Sequence, residues 1–237
     1  MAKKLMVVSA HAADFVWRAA GAIAVTTEKG GEALVVALSY GERGESGNLW
    51  KEPNQTIENV KRIRQAQSAD AAGILGARFE CLDLGDYPLP MTDENVARLA
   101  EVMRGFAPDV LLTHAPADPF NPDHPTAYEL SQRARLLSTG AGVASAFERV
   151  RPSDFYAFEP HQPELSAFIP NTFVDITTVM GKKSKAMEVI EAQSYLKAYY
   201  EELAARRGNH ARRISGRHEI KFAEALQRML PNVVSEL

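Results

Sequence analysis

The residues from Ala33 to Tyr40 form a near-continuous apolar run, and no other feature of the sequence constrains the fold as strongly. A strand without polar alternation is typical of a parallel sheet that is covered on both faces. A similar run from Lys4 to Ala10 precedes a segment with helical spacing. Shorter strands are predicted at 79–83 and 109–113, between helical patterns at 54–75, 92–103 and 125–137. This alternation predicts an α/β fold with a mostly parallel sheet.

The C-terminal part has a less regular pattern. It predicts strands at 154–158 and 173–176, a long helix from Lys183 to Arg207 that ends at Gly208, and a short final helix around 222–229. The basic segment 209–218 is either a solvated loop or an arm that reaches a pocket or a neighbouring subunit. We expect one domain over residues 1–237, with a helical and basic C-terminal region from about 178 to 237.

Composition limits the partners and the compartment. The formal net charge of −3 gives no general attraction to nucleic acid or to anionic membranes, so neither is expected as a partner. The single cysteine, Cys81, excludes an internal disulfide and fits a reducing cytoplasm. The sequence has neither an apolar run of membrane-spanning length nor a signal peptide, so we expect a cytoplasmic protein.

Two predicted strands run directly into histidines. The first ends at His11 and is followed by a helix that begins at Asp14, and the fourth runs into His114 and a proline-rich loop up to His124. The carboxyl ends of parallel strands meet at one edge of a sheet, where open α/β folds bind ligands. Taken alone, Asp14 is more simply a helix cap and His11 a loop histidine. The convergence of both segments favours a metal site.

The segments His11-Ala-Ala-Asp14, with Gly21 further on, and Asn121-Pro-Asp-His124 resemble the two motifs of the PIG-L or LmbE-like family of zinc-dependent de-N-acetylases. This resemblance covers most of the chain and implies a Rossmann-like fold with helices on both faces of the sheet. It also implies that His11, Asp14 and His124 bind Zn²⁺ with at least one position open. Asp123 is then expected directly behind these ligands.

Two positions depart from the family pattern. The general base of the deacetylases corresponds to Ala13, and the leading histidine of the second motif corresponds to Asn121. Loss of a general base removes a factor of about 10² to 10⁴ in rate. Either the metal is vestigial or the site performs different chemistry.

The N-terminal phrase up to residue 24 and the segment 175–230 resemble one subgroup of this family, the zinc-type 4-oxalomesaconate hydratases of gallate and protocatechuate catabolism. The resemblance implies addition of water to the carbon–carbon double bond of an unsaturated keto tricarboxylate, giving 4-carboxy-4-hydroxy-2-oxoadipate. Such a reaction needs a base for water, an electrophile and an acid for carbon. Glu45, and less strongly Glu42, are the candidate bases on the loop after the second strand. His161 is the candidate proton shuttle.

A polycarboxylate substrate also requires cations. Arg43 lies in the same loop as Glu45, while Arg217 and His218 in the basic segment are weaker candidates. Asn121 is expected to contact substrate and His114 to orient a ligand. Arg18, one turn into the first helix, is compatible with simple exposure to solvent.

Three functions remain open from the sequence: a zinc hydratase, a deacetylase or other amidohydrolase in which Glu45 replaces the lost base, and a non-catalytic metal-binding protein. The predicted ligands would also accept ferrous iron, manganese or cobalt. We expect a homo-oligomer, because family members commonly form one.

Overall fold

A computed structural model describes residues 3–233 and residue 236. Seven strands form one sheet, in the order β3-β2-β1-β4-β5-β7-β6. Their bounds are Lys4–His11 (β1), Glu32–Ser39 (β2), Arg78–Cys81 (β3), Val110–Thr113 (β4), Asp154–Phe158 (β5), Thr172–Asp175 (β6) and Ala223–Arg228 (β7). The first five are parallel, while β7 is antiparallel to both of its neighbours. The predicted α/β class and mostly parallel sheet are confirmed.

Seven α-helices accompany the sheet in the part of the chain that the structure describes. They are Asp14–Arg18 (α1), Ala20–Glu28 (α2), Ile57–Ile74 (α3), Asp93–Phe106 (α4), Asp123–Ser138 (α5), Met180–Glu188 (α6) and Lys197–Ser215 (α7). Among these residues, no helix has both the length and the apolar character that a membrane span needs.

Alternation along β1 creates two apolar cores. Leu5 and Val7 pack on one face of the sheet with residues of α1, α2, α3, α6 and α7. Met6 and Val8 pack on the other face with residues of α4 and α5. Successive side chains of a strand point to opposite faces, so an apolar run of this kind needs helices on both sides.

The C-terminal predictions were wrong for the long helix, for the final helix and for the basic segment. The predicted helix 183–207 is divided between α6 and α7 by a 3₁₀ segment, Glu191–Leu196. Helix α7 continues through Gly208, and a Cβ at this position would lie 2.1 Å from the Lys221 carbonyl oxygen. The glycine therefore allows close approach of two chain segments, and Gly216, with φ of 69°, follows the actual end of the helix.

The predicted final helix is instead strand β7, inserted between β5 and β6. Its first four residues are all buried, including the polar Glu224, so the polar and apolar residues of this segment do not mark an exposed and a buried face of the strand. Most of the basic segment 209–218 belongs to helix α7 rather than to a loop.

Candidate active site

The candidate site lies where the order of the strands in the sheet reverses, between β1 and β4. From β1 the chain proceeds outward through β2 and β3, and then returns to add β4 on the other side of β1. The crevice at such a switch point, beyond the carboxyl ends of the strands, is the usual ligand site of open α/β folds. His11 ends β1, and His114 directly follows β4. The topology therefore brings both predicted histidine segments to this crevice.

His11, Asp14 and His124 are brought together as the sequence predicts. All three are buried, and one ligand atom from each lies within 4.8 Å of the others. Asp14 Oδ1 is 3.7 Å from His124 Nε2. Asp14 Oδ2 accepts a hydrogen bond from the His11 backbone N–H at 2.8 Å, which fixes the carboxylate at the start of α1. These residues form a possible metal site.

The ring nitrogens of the two histidines support metal binding. His11 Nδ1 and His124 Nε2 are buried, and neither has a hydrogen-bond partner among the described residues. The other nitrogen of each ring contacts a carboxylate, at 3.1 Å for His11 with Asp123 and at 2.8 Å for His124 with Asp118. Metal-binding histidines are commonly held by such a carboxylate, which orients the ring and its free nitrogen. The donor set therefore fits a divalent metal ion.

The two histidines have opposite electrostatic environments. Burial lowers the pKa of His124 to about 3, against the effect of Asp118. Burial also acts to lower the pKa of His11, but the hydrogen bond with Asp123 and the nearby negative charge of Asp14 outweigh it and raise the pKa to about 10. His11 must therefore lose a proton when its free nitrogen binds a metal, whereas His124 is already neutral.

His114 lies behind the ligands rather than among them. Its Nε2 accepts the Ala10 backbone N–H at 2.9 Å and is 3.2 Å from Asp14 Oδ2. Its ring stacks on His124 with a centroid separation of 4.1 Å. These contacts fix the positions of two of the candidate metal ligands.

Glu45 lies at the same cavity and is held by three donors. Its Oε1 accepts hydrogen bonds from Asn121 Nδ2 at 2.7 Å and from the Tyr87 hydroxyl at 3.1 Å, and its Oε2 accepts one from Gln193 Nε2 at 2.9 Å. An ionised carboxylate offers about four lone-pair positions, so one remains free for a further donor such as water. Glu45 is thus a fixed carboxylate that can accept a further hydrogen bond beside the candidate metal ligands.

Two glycines make room for this arrangement. A Cβ on Gly44 would lie 2.0 Å from Cε2 of Tyr87, so only glycine lets the Tyr87 ring lie against this loop. Gly41 has φ of 67°, and a Cβ there would meet the Cβ atoms of Glu45 and His11 at 2.9 and 3.1 Å. Both positions therefore need glycine for steric reasons.

A cavity of about 260 Å³ opens in front of these groups. Its lining includes Asp14, Arg18, Glu45, His124, His161 and Tyr200. The ring of His161 packs against Tyr199, and its Nδ1 is 3.5 Å from the Tyr200 hydroxyl. Burial, with a further contribution from Arg18, lowers the pKa of His161 below its usual value. His161 is therefore mainly neutral near neutral pH.

Several predicted residues lie elsewhere. Arg43 is exposed and donates to the Asp86 carbonyl oxygen at 2.8 Å. Glu42 is buried outside the cavity, with its carboxylate 3.6 Å from Lys61 Nζ. Arg217 pairs with Asp175 and Glu219, and His218 is exposed beside it. None of these four side chains belongs to the cavity lining in a single chain.

Four further residues of the site escaped the sequence reasoning: Arg18, Tyr87, Asp118 and Gln193. Arg18 is buried in the cavity rather than exposed, and its position four residues after Asp14 on one helix was the available signal. Asp118 lies in the loop already singled out for its histidines. Tyr87 and Gln193 come from distant segments that only tertiary packing brings to Glu45.

Comparison with known proteins identifies the family of the chain. Residues 6–135 match the PIG-L family, described as GlcNAc-PI de-N-acetylase. The chain belongs to the PIG-L family. It is 44% identical to the 4-oxalmesaconate hydratase of Pseudomonas putida KT2440, over 99% of this chain and 92% of that protein.

Solved structures give the same relationship. The crystal structure of GalB, the 4-carboxy-2-hydroxymuconate hydratase of Pseudomonas putida KT2440, is 44% identical, with a TM-score of 0.96 over 99% of both chains. The N,N'-diacetylchitobiose deacetylase of Pyrococcus horikoshii is 21% identical, with a TM-score of 0.79 over 96% of this chain and 84% of that one, which establishes a shared fold.

Proposed function

We propose that this chain is a 4-oxalomesaconate hydratase, a hydro-lyase that adds water to the carbon–carbon double bond of an unsaturated keto tricarboxylate. The observation that carries the proposal is the similarity to hydratases, which extends over 99% of this chain at 44% identity. The site is compatible with this reaction: the metal ligands are retained, Ala13 and Asn121 occupy the deacetylase base and histidine positions, and Glu45 provides a different carboxylate.

The substrates in the names of the two relatives have the same carbon skeleton. 4-Carboxy-2-hydroxymuconate is the enol form and 4-oxalomesaconate the keto form of the same tricarboxylate. Hydration of the keto form places hydroxyl on the carbon that bears the 4-carboxylate and a hydrogen on the adjacent carbon, giving 4-carboxy-4-hydroxy-2-oxoadipate. The double bond accepts water because it is conjugated with carboxylates. The enzyme must therefore remove one proton from water and deliver one to carbon.

His11, Asp14 and His124 would hold Zn²⁺, in keeping with the two buried unpartnered ring nitrogens and the carboxylates behind them. A zinc ion held there supplies Lewis-acid chemistry, polarising a carbonyl or carboxylate oxygen or lowering the pKa of water.

Glu45 is the base that accepts the proton from the attacking water. Its hydrogen bonds to Tyr87, Asn121 and Gln193 hold it in place, and its remaining lone pair accepts the proton. Asn121 therefore acts by positioning Glu45. His161, which also lines the cavity, takes up a proton from solvent and passes it to the adjacent carbon, while Glu45 releases the proton of the attacking water to solvent before the next turnover.

The setting of the enzyme follows from the same proposal. We place it in the cytoplasm, in aromatic-acid catabolism, in agreement with its single free cysteine. We also propose a homo-oligomer, which light scattering on the purified protein tests directly.

Product analysis tests the hydratase activity. The purified, zinc-loaded protein is mixed with 4-oxalomesaconate, and the product is identified by mass spectrometry in ordinary and ¹⁸O-labelled water. We expect loss of the conjugated ultraviolet absorbance and a product that contains one added water with the label. Acetate release from N-acetylglucosaminyl substrates, without hydration, would instead establish a deacetylase.

A further inference from the structure

Arg18 has an unusual position for a charged side chain. It is only 9% exposed, and it lines the cavity that contains Asp14, Glu45 and His161. Its Nη1 donates to the Glu159 carbonyl oxygen at 3.1 Å, and its Nε is buried with no hydrogen-bond partner among the described residues. Its guanidinium carbon also lies 5.9 Å from the centre of the Phe158 ring, which packs against it. The guanidinium is therefore held in place while at least one of its N–H donors has no acceptor among the described residues.

Two carboxylates that lie beside Arg18, those of Glu159 and Glu224, are already engaged by other cations. The carboxylate of Glu159 is bound by Arg207, through Nε at 2.9 and 3.1 Å and through Nη2. That of Glu224 is bound by Lys183 at 2.6 Å. Within residues 3–233 and residue 236, Arg18 itself forms no ion pair. Asp14, Asp118 and Glu45 act on it only at longer range. A buried charge without a counter-ion in direct contact is costly, so such a group is expected to have an anionic partner.

The spacing along α1 suggests where that anion comes from. Asp14 and Arg18 are four residues apart, so their side chains lie on the same face of the helix, about 6 Å apart along its axis. A ligand held at the candidate metal ligands by one oxygen-bearing group could extend one helical turn and present a second carboxylate to Arg18. Such a ligand has at least two carboxylates several bonds apart.

We propose that Arg18 binds a carboxylate of the substrate and selects polycarboxylates over monocarboxylates. The substrate assignment rests on the proposed hydratase function, but the binding preference can be measured without turnover. A guanidinium can donate two parallel hydrogen bonds to a carboxylate, which gives both affinity and orientation. Arg18 then holds the end of the substrate remote from the metal ligands and aligns its double bond between Glu45 and His161.

Calorimetric titration with two stable probes tests this proposal. Tricarballylate (propane-1,2,3-tricarboxylate) has several carboxylates, whereas butyrate has one. Both are titrated into the metal-loaded wild type, Arg18→Gln, Arg18→Lys and the surface control Arg206→Gln. We expect the Kd of tricarballylate to rise about 10- to 100-fold in Arg18→Gln, since a hydrogen bond to a charged group is lost. Butyrate affinity and metal content should not change.

Arg18→Lys keeps the charge but cannot donate the paired hydrogen bonds, so we expect an intermediate loss. Circular dichroism shows whether each variant folds. If Arg18→Gln does not fold, the tricarballylate affinity of Arg18→Lys tests the proposal instead. Equal tricarballylate affinity in wild type and folded variants would overturn the proposal, as would failure of the wild type to bind tricarballylate. Arg18-dependent binding without hydration would instead refute the hydratase assignment alone.

Discussion

Replacing Glu45 by glutamine removes the proposed base while nearly preserving its shape. The carboxylate accepts three hydrogen bonds, from Asn121, Tyr87 and Gln193. A glutamine amide can keep its oxygen toward Asn121 and Tyr87, but its NH₂ group then faces the NH₂ group of Gln193. Gln193 cannot easily turn round, because its Oε1 accepts from Arg64 and Trp17. The variant therefore loses at least one hydrogen bond in addition to the base.

The size of the effect follows from these two losses. Removal of a general base lowers kcat by about 10²- to 10⁴-fold, which corresponds to about 3–5 kcal/mol of transition-state stabilisation. The lost hydrogen bond lowers the free energy of unfolding by about 1–2 kcal/mol, shifting Tm by roughly 2–8 °C in a chain of this length.

The assay compares wild type, Glu45→Gln and the exposed loop control Glu52→Gln. Initial rates of 4-oxalomesaconate hydration are measured at saturating zinc, and metal content and Tm are measured on the same samples. We expect normal metal content and a large fall in kcat for Glu45→Gln only. A kcat within 10-fold of wild type, with full metal occupancy, would refute the role assigned to Glu45.

Three further predictions concern the groups around this centre. Asp118→Asn should weaken zinc affinity about 10- to 100-fold in competition with a chelator, because the carboxylate orients His124; unchanged affinity would contradict this. Gly44→Ala should displace Tyr87 and reduce kcat, whereas Gly47→Ala, with open space around its Cβ position, should not; equal rates would contradict the packing argument. The pKa of His161, measured by NMR, should lie below about 6.5 and should rise in Arg18→Gln. Because this pKa is lower in the folded than in the unfolded state, protonation of His161 reduces the free energy of unfolding as the pH falls below about 6.5. A raised pKa in the wild type would contradict the burial argument.

The sequence predicted those parts of the fold and site that depend on local pattern. The parallel strands follow from apolar runs, and the candidate metal ligands follow from motifs after β1 and β4. Glu45 could be predicted because it lies on the loop after β2, at the same edge of the sheet. Local sequence signals were therefore sufficient where a strand end directly positions a side chain.

The remaining features depend on contacts between distant segments. Gly208 resembles a helix stop, but it permits contact with the chain at Lys221, which no local pattern reveals. Gln193 reaches Glu45 from a 3₁₀ segment 148 residues away in sequence. Arg43 was expected at the substrate because it shares a loop with Glu45, yet the loop turns it toward Asp86. Arg18 provides the cation in the cavity instead.

The most direct test of the account is hydration of 4-oxalomesaconate before and after removal of the metal. The protein is stripped with a chelator, freed of the chelator and reloaded with zinc, and the loss of substrate absorbance is followed at each stage. The account predicts hydration by the loaded protein, its loss on stripping and its recovery with zinc. Undiminished hydration by the stripped protein would contradict a metal-dependent mechanism, and absence of hydration by the zinc-loaded protein would contradict the proposed function.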